Sequence, residues 1–77
     1  MTDTLKVQAA KAIKAQLVKG VKAKMKAHKI SQSELARRMS TSRMVVHRLL
    51  NPYDLSLSLR TLANLAVGLK IKVHITL

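Results

Sequence analysis

The sequence predicts a small, mainly all-α domain of four to five helices that ends in a single β-strand. Three observations support this prediction: a first third rich in Lys and Ala, a middle section with helix-start signals, and a last segment in which polar and apolar residues alternate. The chain has 77 residues, no Cys, no Phe and no Trp. It can therefore build one modest aliphatic core and no disulfide framework.

The first helical region is "KVQAAKAIKAQLVKGVKAKMKAHK". Ile13, Leu17, Val21 and Met25 recur at every fourth position, which places an apolar stripe on one side of a helix. Gly20 interrupts this region and lowers its helix propensity. We therefore expect residues 1–19 to form a basic helical extension, and a core helix to run from about residue 21 to residue 27.

The middle section contains "ISQSELARRMSTSRMVVHRLL". Ser31 and Glu34 form the S-x-x-E capping box that marks a helix start. Ser42 can cap a second helix over residues 43–50, and Ser58 a last helix whose Leu and Ala side chains mostly face inward. In the turn between them, Tyr53 is expected to pack against the loop rather than to offer a stacking surface.

The segment "LKIKVHITL" alternates without exception from residue 69 to residue 77, a pattern that indicates a half-buried strand. No other segment has a strand pattern, so the unpaired edges of this strand need a partner. The simplest partner is the same strand of a second copy, related by a two-fold axis. We expect a helix-rich domain over 20–69 and a dimerisation strand over 70–77, with Ile71, Val73 and Ile75 at the interface.

One side of the second short helix is unusual. At about 100° per residue, four side chains fall within about 140° of one another, and the opposite arc is apolar. The exposed set is Arg43, Met44, His47 and Arg48. Two short helices joined by a tight turn describe a helix-turn-helix unit, whose second helix enters the DNA major groove. Arginines can bind guanine edges or phosphates, methionine can touch a thymine methyl group, and Gln32 at the start of the first helix can reach adenine or phosphate.

The charge balance favours a polyanionic partner. Fifteen Lys and Arg residues oppose three acidic residues, for a net charge of +12. Nucleic acid, an anionic membrane surface and an acidic protein are the candidates. The chain has no apolar run that could span a membrane and no apolar core of a secretory signal, so we expect a cytoplasmic location. It has no paired carboxylates, no Gly-rich phosphate loop and no metal-ligand spacing, so we expect neither an enzyme nor a cofactor or metal.

The stretches "SQSELARRMSTSRMVVHRLL" and "SLRTLANLAVGL" resemble the helix-turn-helix of the Cro/C1 (Xre) family of DNA-binding regulators over about residues 18–69. The resemblance implies a compact lambda-repressor-like domain that dimerises on palindromic operators. It places Gln32, Arg43 and Met44 where family members touch bases, with Ser42, His47 and Arg48 as nearby contacts. Family members usually carry Gly at the positions of Ser40 and Lys70.

These features together predict a homodimeric repressor that binds double-stranded DNA. "RLLNP" followed by a terminal strand is similar to the DNA-binding part of HicB-like antitoxins, so an antitoxin and autorepressor that holds a toxin is an alternative. A non-specific basic nucleoid or membrane-surface protein is a second alternative. The four exposed side chains could also be a solvated face, Met44 could border the core, and the N-terminal lysines could be solvated or could contact phosphates.

Overall fold

The computed structural model describes residues 2–71, with side chains from residue 4 onward. This part of the chain contains the helices α1 (Thr2–Ala27), α2 (Gln32–Arg38), α3 (Arg43–Leu49) and α4 (Leu59–Gly68), and no strand. The expectation of a mainly helical fold is therefore confirmed. The expected strand residues Val73 and Ile75 lie outside the described residues.

α1 is a single helix of 26 residues that continues through Gly20 without a break. A Cβ atom added at Gly20 would meet nothing within 4 Å, so this glycine lies on an open side of the helix. The buried side of α1 contains Val18, Val21 and Met25, whereas Ile13 is 69% exposed. The part of α1 that packs on the other helices thus begins well before the expected boundary near residue 20.

Three serines begin the short helices. The hydroxyl oxygens of Ser31, Ser42 and Ser58 accept hydrogen bonds from the backbone N–H groups three residues later, at 3.1, 3.3 and 3.1 Å. Each serine has extended backbone, as N-cap residues do. The expected helix starts are confirmed. A capping box also includes a hydrogen bond from the N-cap backbone N–H to the glutamate side chain. That part of the expectation is wrong, because the Glu34 carboxylate accepts hydrogen bonds from Arg37 and Arg38 instead.

Three helices end on a residue in the left-handed region. Lys29, Ser40 and Lys70 have φ values of 55°, 53° and 55°. In each case the N–H of the following residue donates to the carbonyl five residues earlier, at 2.8, 2.9 and 2.8 Å. This is the Schellman pattern, in which glycine usually occupies the left-handed position. The turn between α2 and α3 therefore keeps its positive φ with serine in place of glycine.

The end of α4 corrects one expectation about the tail. Leu69 is the C-cap of α4 and is 3% exposed, within the core. The Ile71 N–H donates to the Ala66 carbonyl, so residues 69–71 complete a helix end rather than begin a strand. Leu69 is apolar because the end of α4 packs on the core, and its place in the alternating pattern of the tail is a coincidence.

The core joins all four helices. Its side chains are buried and nearly all aliphatic: Val21, Met25, Ile30, Leu35, Ala36, Met39, Val46, Leu49, Leu50, Leu65 and Leu69. Gly68 allows a close approach of α4 to α2, because a Cβ there would lie 3.3 Å from Met39 Cγ. The expectation that Tyr53 packs against its loop is wrong, since Tyr53 is 85% exposed, and Leu59 at 83% exposed is also outside the core.

Candidate nucleic-acid interface

α2 and α3 are held together by fully buried side chains. Leu35 of α2 and Val46 of α3 are both 0% exposed, and residues 39–42 form the short connection between the helices. In that connection Met39 is buried and Ser40 takes the left-handed conformation. The pair is therefore a packed unit whose relative placement is fixed by core residues and not by its surface side chains.

One face of α3 is buried in the core, and the other, which we call the open face, is exposed to solvent. Val46, Leu49 and the C-cap Leu50 are buried, and Val45 is half-buried. The open face contains the four expected side chains, all of them exposed: Arg43, Met44, His47 and Arg48. Met44 is 71% exposed, so it does not border the core. A seven-residue helix thus presents two guanidinium groups, an imidazole and a thioether on one surface.

Two expected contact residues lie at helix starts. Ser42 is the N-cap of α3, and its hydroxyl oxygen accepts from the Val45 N–H. Ser42 therefore fixes the first turn of α3, directly before Arg43. Gln32 is the first residue of α2 and is exposed. It lies on a different helix from the other candidates.

Arg48 differs from the other exposed side chains of α3, because it binds the following loop. Its Nε lies 3.1 Å from Asp54 Oδ2, and its Nη2 donates to the Ser56 hydroxyl at 2.9 Å. Hydrogen bonds from Ser56 and then from Arg48 hold the pKa of Asp54 well below its ordinary value. The Arg48 side chain is still 60% exposed. The sequence did not predict this connection, which orients the guanidinium of Arg48.

Lys14 is a buried charge that sequence reasoning missed. It is 4% exposed, and its Nζ donates to the Asp54 carbonyl at 2.8 Å and to the Arg48 carbonyl at 3.4 Å. Burial lowers the pKa of Lys14, and the nearby negative charge of Asp54 partly opposes that effect. Lys14 thereby joins α1 to the end of α3 and to the loop that holds Arg48.

The spacing of the apolar residues contained a signal for Lys14. A strict period of four drifts by about 40° per step around an α-helix, so Ile13 and Met25 cannot share one face. Positions 14, 18, 21 and 25 follow the 3.6-residue period, and these four positions are the buried ones. Lys14 also belongs to this series, because a lysine can bury its aliphatic stem against apolar neighbours.

Other kinds of site find no support in the described residues. They include no group of three or more His, Cys, Asp or Glu residues arranged to hold a metal ion. In the same part of the chain, no helix combines the length and apolar character needed to cross a membrane. A hollow of about 640 Å³ lies between α1, the loop after α3 and α4, lined mainly by aliphatic side chains that include Ile13, Leu55 and Leu62. It does not include the open face of α3.

Comparison with known proteins identifies no similar protein. No family model, curated protein or solved structure matches the chain.

Proposed function

We propose that this chain is a sequence-specific DNA-binding transcriptional regulator, acting as a homodimeric repressor. In this proposal α2 and α3 form a lambda-repressor-like helix-turn-helix unit of the Cro/C1 (Xre) kind, and α3 enters the major groove. The observation that carries the proposal is the division of α3: its apolar side is sealed in the core, and its other side exposes Arg43, Met44 and His47.

The chemistry of the open face supports base recognition. The planar fork of Arg43 matches the O6 and N7 acceptors of guanine in the major groove. His47, one turn later on the same side, can donate or accept a hydrogen bond, and Met44 can contact a thymine methyl group. Lys and Arg contacts to phosphates would supply much of the affinity, consistent with the net charge of +12.

Arg48 has a different role in this proposal. Because Asp54 and Ser56 already hold its Nε and Nη2, Arg48 contributes an oriented positive charge to the edge of the interface. Such a charge suits a phosphate contact, which fixes the position of a protein on the duplex without reading sequence. Gln32 is assigned a base or phosphate contact beside the groove.

Dimerisation would match the protein to a palindromic operator. Two copies of α3 would then occupy half-sites about 34 Å apart, or a multiple of that distance. Ile71, Val73 and Ile75 are the proposed interface residues, and the pairing of the tail remains a prediction.

The test is selection of bound sequences from a random pool of duplex DNA at near-physiological salt. We expect the parent protein to select a palindromic consensus. Arg43→Ala should lose about 1–3 kcal/mol of discrimination at one base pair of each half-site, with little change in affinity for random DNA. Arg60→Ala is the matched control, because Arg60 is an exposed arginine of α4. An Arg43→Ala protein that selects the parental consensus with parental discrimination would refute base reading by Arg43.

The net charge of +12 also supports a second candidate, a basic protein that binds DNA without sequence preference. The same selection separates the two functions. Absence of a consensus for the parent, together with equal affinity for all duplexes at matched salt, would favour the second candidate.

A further inference from the structure

α1 carries four exposed lysines on one side of the helix. At about 100° per residue, Lys11, Lys19, Lys22 and Lys26 fall within about 80° of one another on the helix surface. All four side chains are exposed. With a rise of 1.5 Å per residue, they span about 22 Å along the helix axis. We refer to these four residues as the lysine stripe.

Within the described side chains, the lysine stripe has no acidic partner. From residue 4 to its end, α1 contains no acidic residue. Of the acids in the described side chains, Glu34 binds Arg37 and Arg38, and Asp54 binds Arg48. Lys19 and Lys22 are three residues apart, and Lys22 and Lys26 four apart, so neighbouring lysines repel one another. A row of phosphates would relieve this repulsion.

The contacts of α1 place this helix, which carries the lysine stripe, next to parts of the proposed interface. The Lys14 hydrogen bonds place that part of α1 against the end of α3 and the Asp54 loop. At its other end, α1 is separated from Gln32 by only four residues. α1 therefore runs beside the helix pair, from the end of α3 to the start of α2.

The lysine stripe lies on a defined side of α1. The flank that includes Ala10, Ile13 and Leu17 faces the aliphatic residues of the loop and α4 across the hollow. By the same helical rotation, the lysine stripe lies on the opposite flank. It is thus turned away from α4.

We propose that the lysine stripe binds the phosphates of double-stranded DNA outside the base pairs read by α3. The inference rests on the proposed function and extends it to a second contact surface. A membrane is a poorer partner, because the apolar side chains beside Lys19, Lys22 and Lys26 are buried in the core: Val18, Val21 and Met25. The exposed Leu5 and Val7 lie nearer the N-terminus than the stripe. A helix that binds a lipid surface needs such side chains free to enter it.

The experiment compares two double variants that each remove two positive charges. Lys19→Gln/Lys22→Gln alters the stripe. Lys6→Gln/Lys70→Gln is the control, because both residues are exposed and lie outside the stripe. Lys and Gln have similar helix propensities, so the three substitutions within α1 should leave the helix intact. Circular dichroism checks that both variants fold. Affinity for a duplex longer than the selected site is measured at several salt concentrations.

The expected result is a change in the salt dependence. The slope of log K against log salt is negative, and each lost phosphate contact makes it about 0.9 less steep. The slope of the stripe variant should therefore be about 1.8 less steep per protomer. The control variant should keep a nearly parental slope, and both variants should select the parental consensus. If the double variant unfolds, Lys22→Gln alone should lose about 0.9.

Equal slopes for the stripe and control variants would overturn the proposal. So would a stripe variant that keeps the parental slope on DNA but loses binding to phosphatidylcholine–phosphatidylserine vesicles. A parent without sequence preference would refute the proposed function alone, because the slope comparison can then be made on random duplex DNA.

Discussion

At the scale of single residues, Lys14 shows how one buried charge can organise a fold of this size. Its ammonium group gives up water and gains two backbone carbonyls, those of Arg48 and Asp54. The first carbonyl belongs to the last turn of α3, and the second to the loop whose carboxylate holds Arg48. A single side chain of α1 therefore supports both the end of the proposed recognition helix and the loop that orients one of its arginines.

Lys14→Ala should destabilise the protein by about 1.5–3 kcal/mol, the usual contribution of a buried hydrogen bond from a charged donor. Urea denaturation measures this change. Lys11→Ala is the matched control, because Lys11 is an exposed lysine one turn earlier on the same helix. Equal unfolding midpoints for the two variants would show that the Lys14 bonds contribute nothing to stability.

Glu34 predicts a dependence of stability on pH. Hydrogen bonds from Arg37 and then Arg38 lower the pKa of Glu34 from 4.5 to about 2. Between these two values the unfolded chain binds more protons than the folded one, so stability falls as the pH is lowered. The contribution of Glu34 is complete above pH 4.5 and disappears as the pH approaches 2.

The melting temperature measured from pH 6 to pH 2 tests this prediction. Glu34→Gln should show a flatter profile in the acid range, with the remaining slope due mainly to Asp54, whose pKa is also lowered. Parallel profiles for the parent and the variant would contradict a native ion pair at Glu34.

At the scale of elements, the two glycines have opposite roles in their helices. Gly20 lies on the open side of α1 with nothing within 4 Å of a Cβ position, whereas Gly68 lies against Met39 and Arg38 of the α2 end. Only at Gly68 would an added Cβ make a close contact. A residue with higher helix propensity can therefore replace Gly20 without a clash.

Gly20→Ala should stabilise the protein by about 0.5–1 kcal/mol, because alanine loses less backbone entropy in a helix. Gly68→Ala should gain less, since its Cβ would lie 3.3 Å from Met39 Cγ. Thermal melting of both variants checks the prediction. A destabilising Gly20→Ala would indicate that α1 is not continuous at this position in solution.

The helix starts and the open face of α3 were predictable from the sequence, and the tertiary partners were not. Serine caps and a 3.6-residue apolar period are local signals, so Ser31, Ser42 and Ser58 could be assigned from their neighbours alone. The bonds of Lys14 to carbonyls 34 and 40 residues away depend on how α1 crosses the other helices. The exposure of Tyr53 and the helical place of Leu69 likewise depend on packing and not on local pattern.

At the scale of the whole molecule, the net charge of +12 opposes folding in the absence of a polyanion. The radius of gyration is 12.9 Å. The Debye length is about 30 Å at 0.01 M salt and about 8 Å at 0.15 M, so at low salt every lysine repels every other across the molecule. At physiological salt only near neighbours do so.

The melting temperature should therefore rise as sodium chloride is increased from about 0.01 to 0.15 M. Differential scanning calorimetry at pH 7 measures the rise. The Lys19→Gln/Lys22→Gln variant, with two fewer positive charges, should show a smaller rise than the parent. A melting temperature that is constant or falls over this range would mean that the ion pairs of Glu34 and Asp54 outweigh the repulsion.

The left-handed residues at the ends of α1, α2 and α4 have a practical consequence for protein engineering. Lys29, Ser40 and Lys70 are exposed, and none of them is one of the four open-face side chains of α3. Replacing them by glycine relaxes the backbone at three points and changes no side chain proposed to read bases. A more stable version of the protein, suited to crystallisation, could be built at these three positions while α3 is left unchanged.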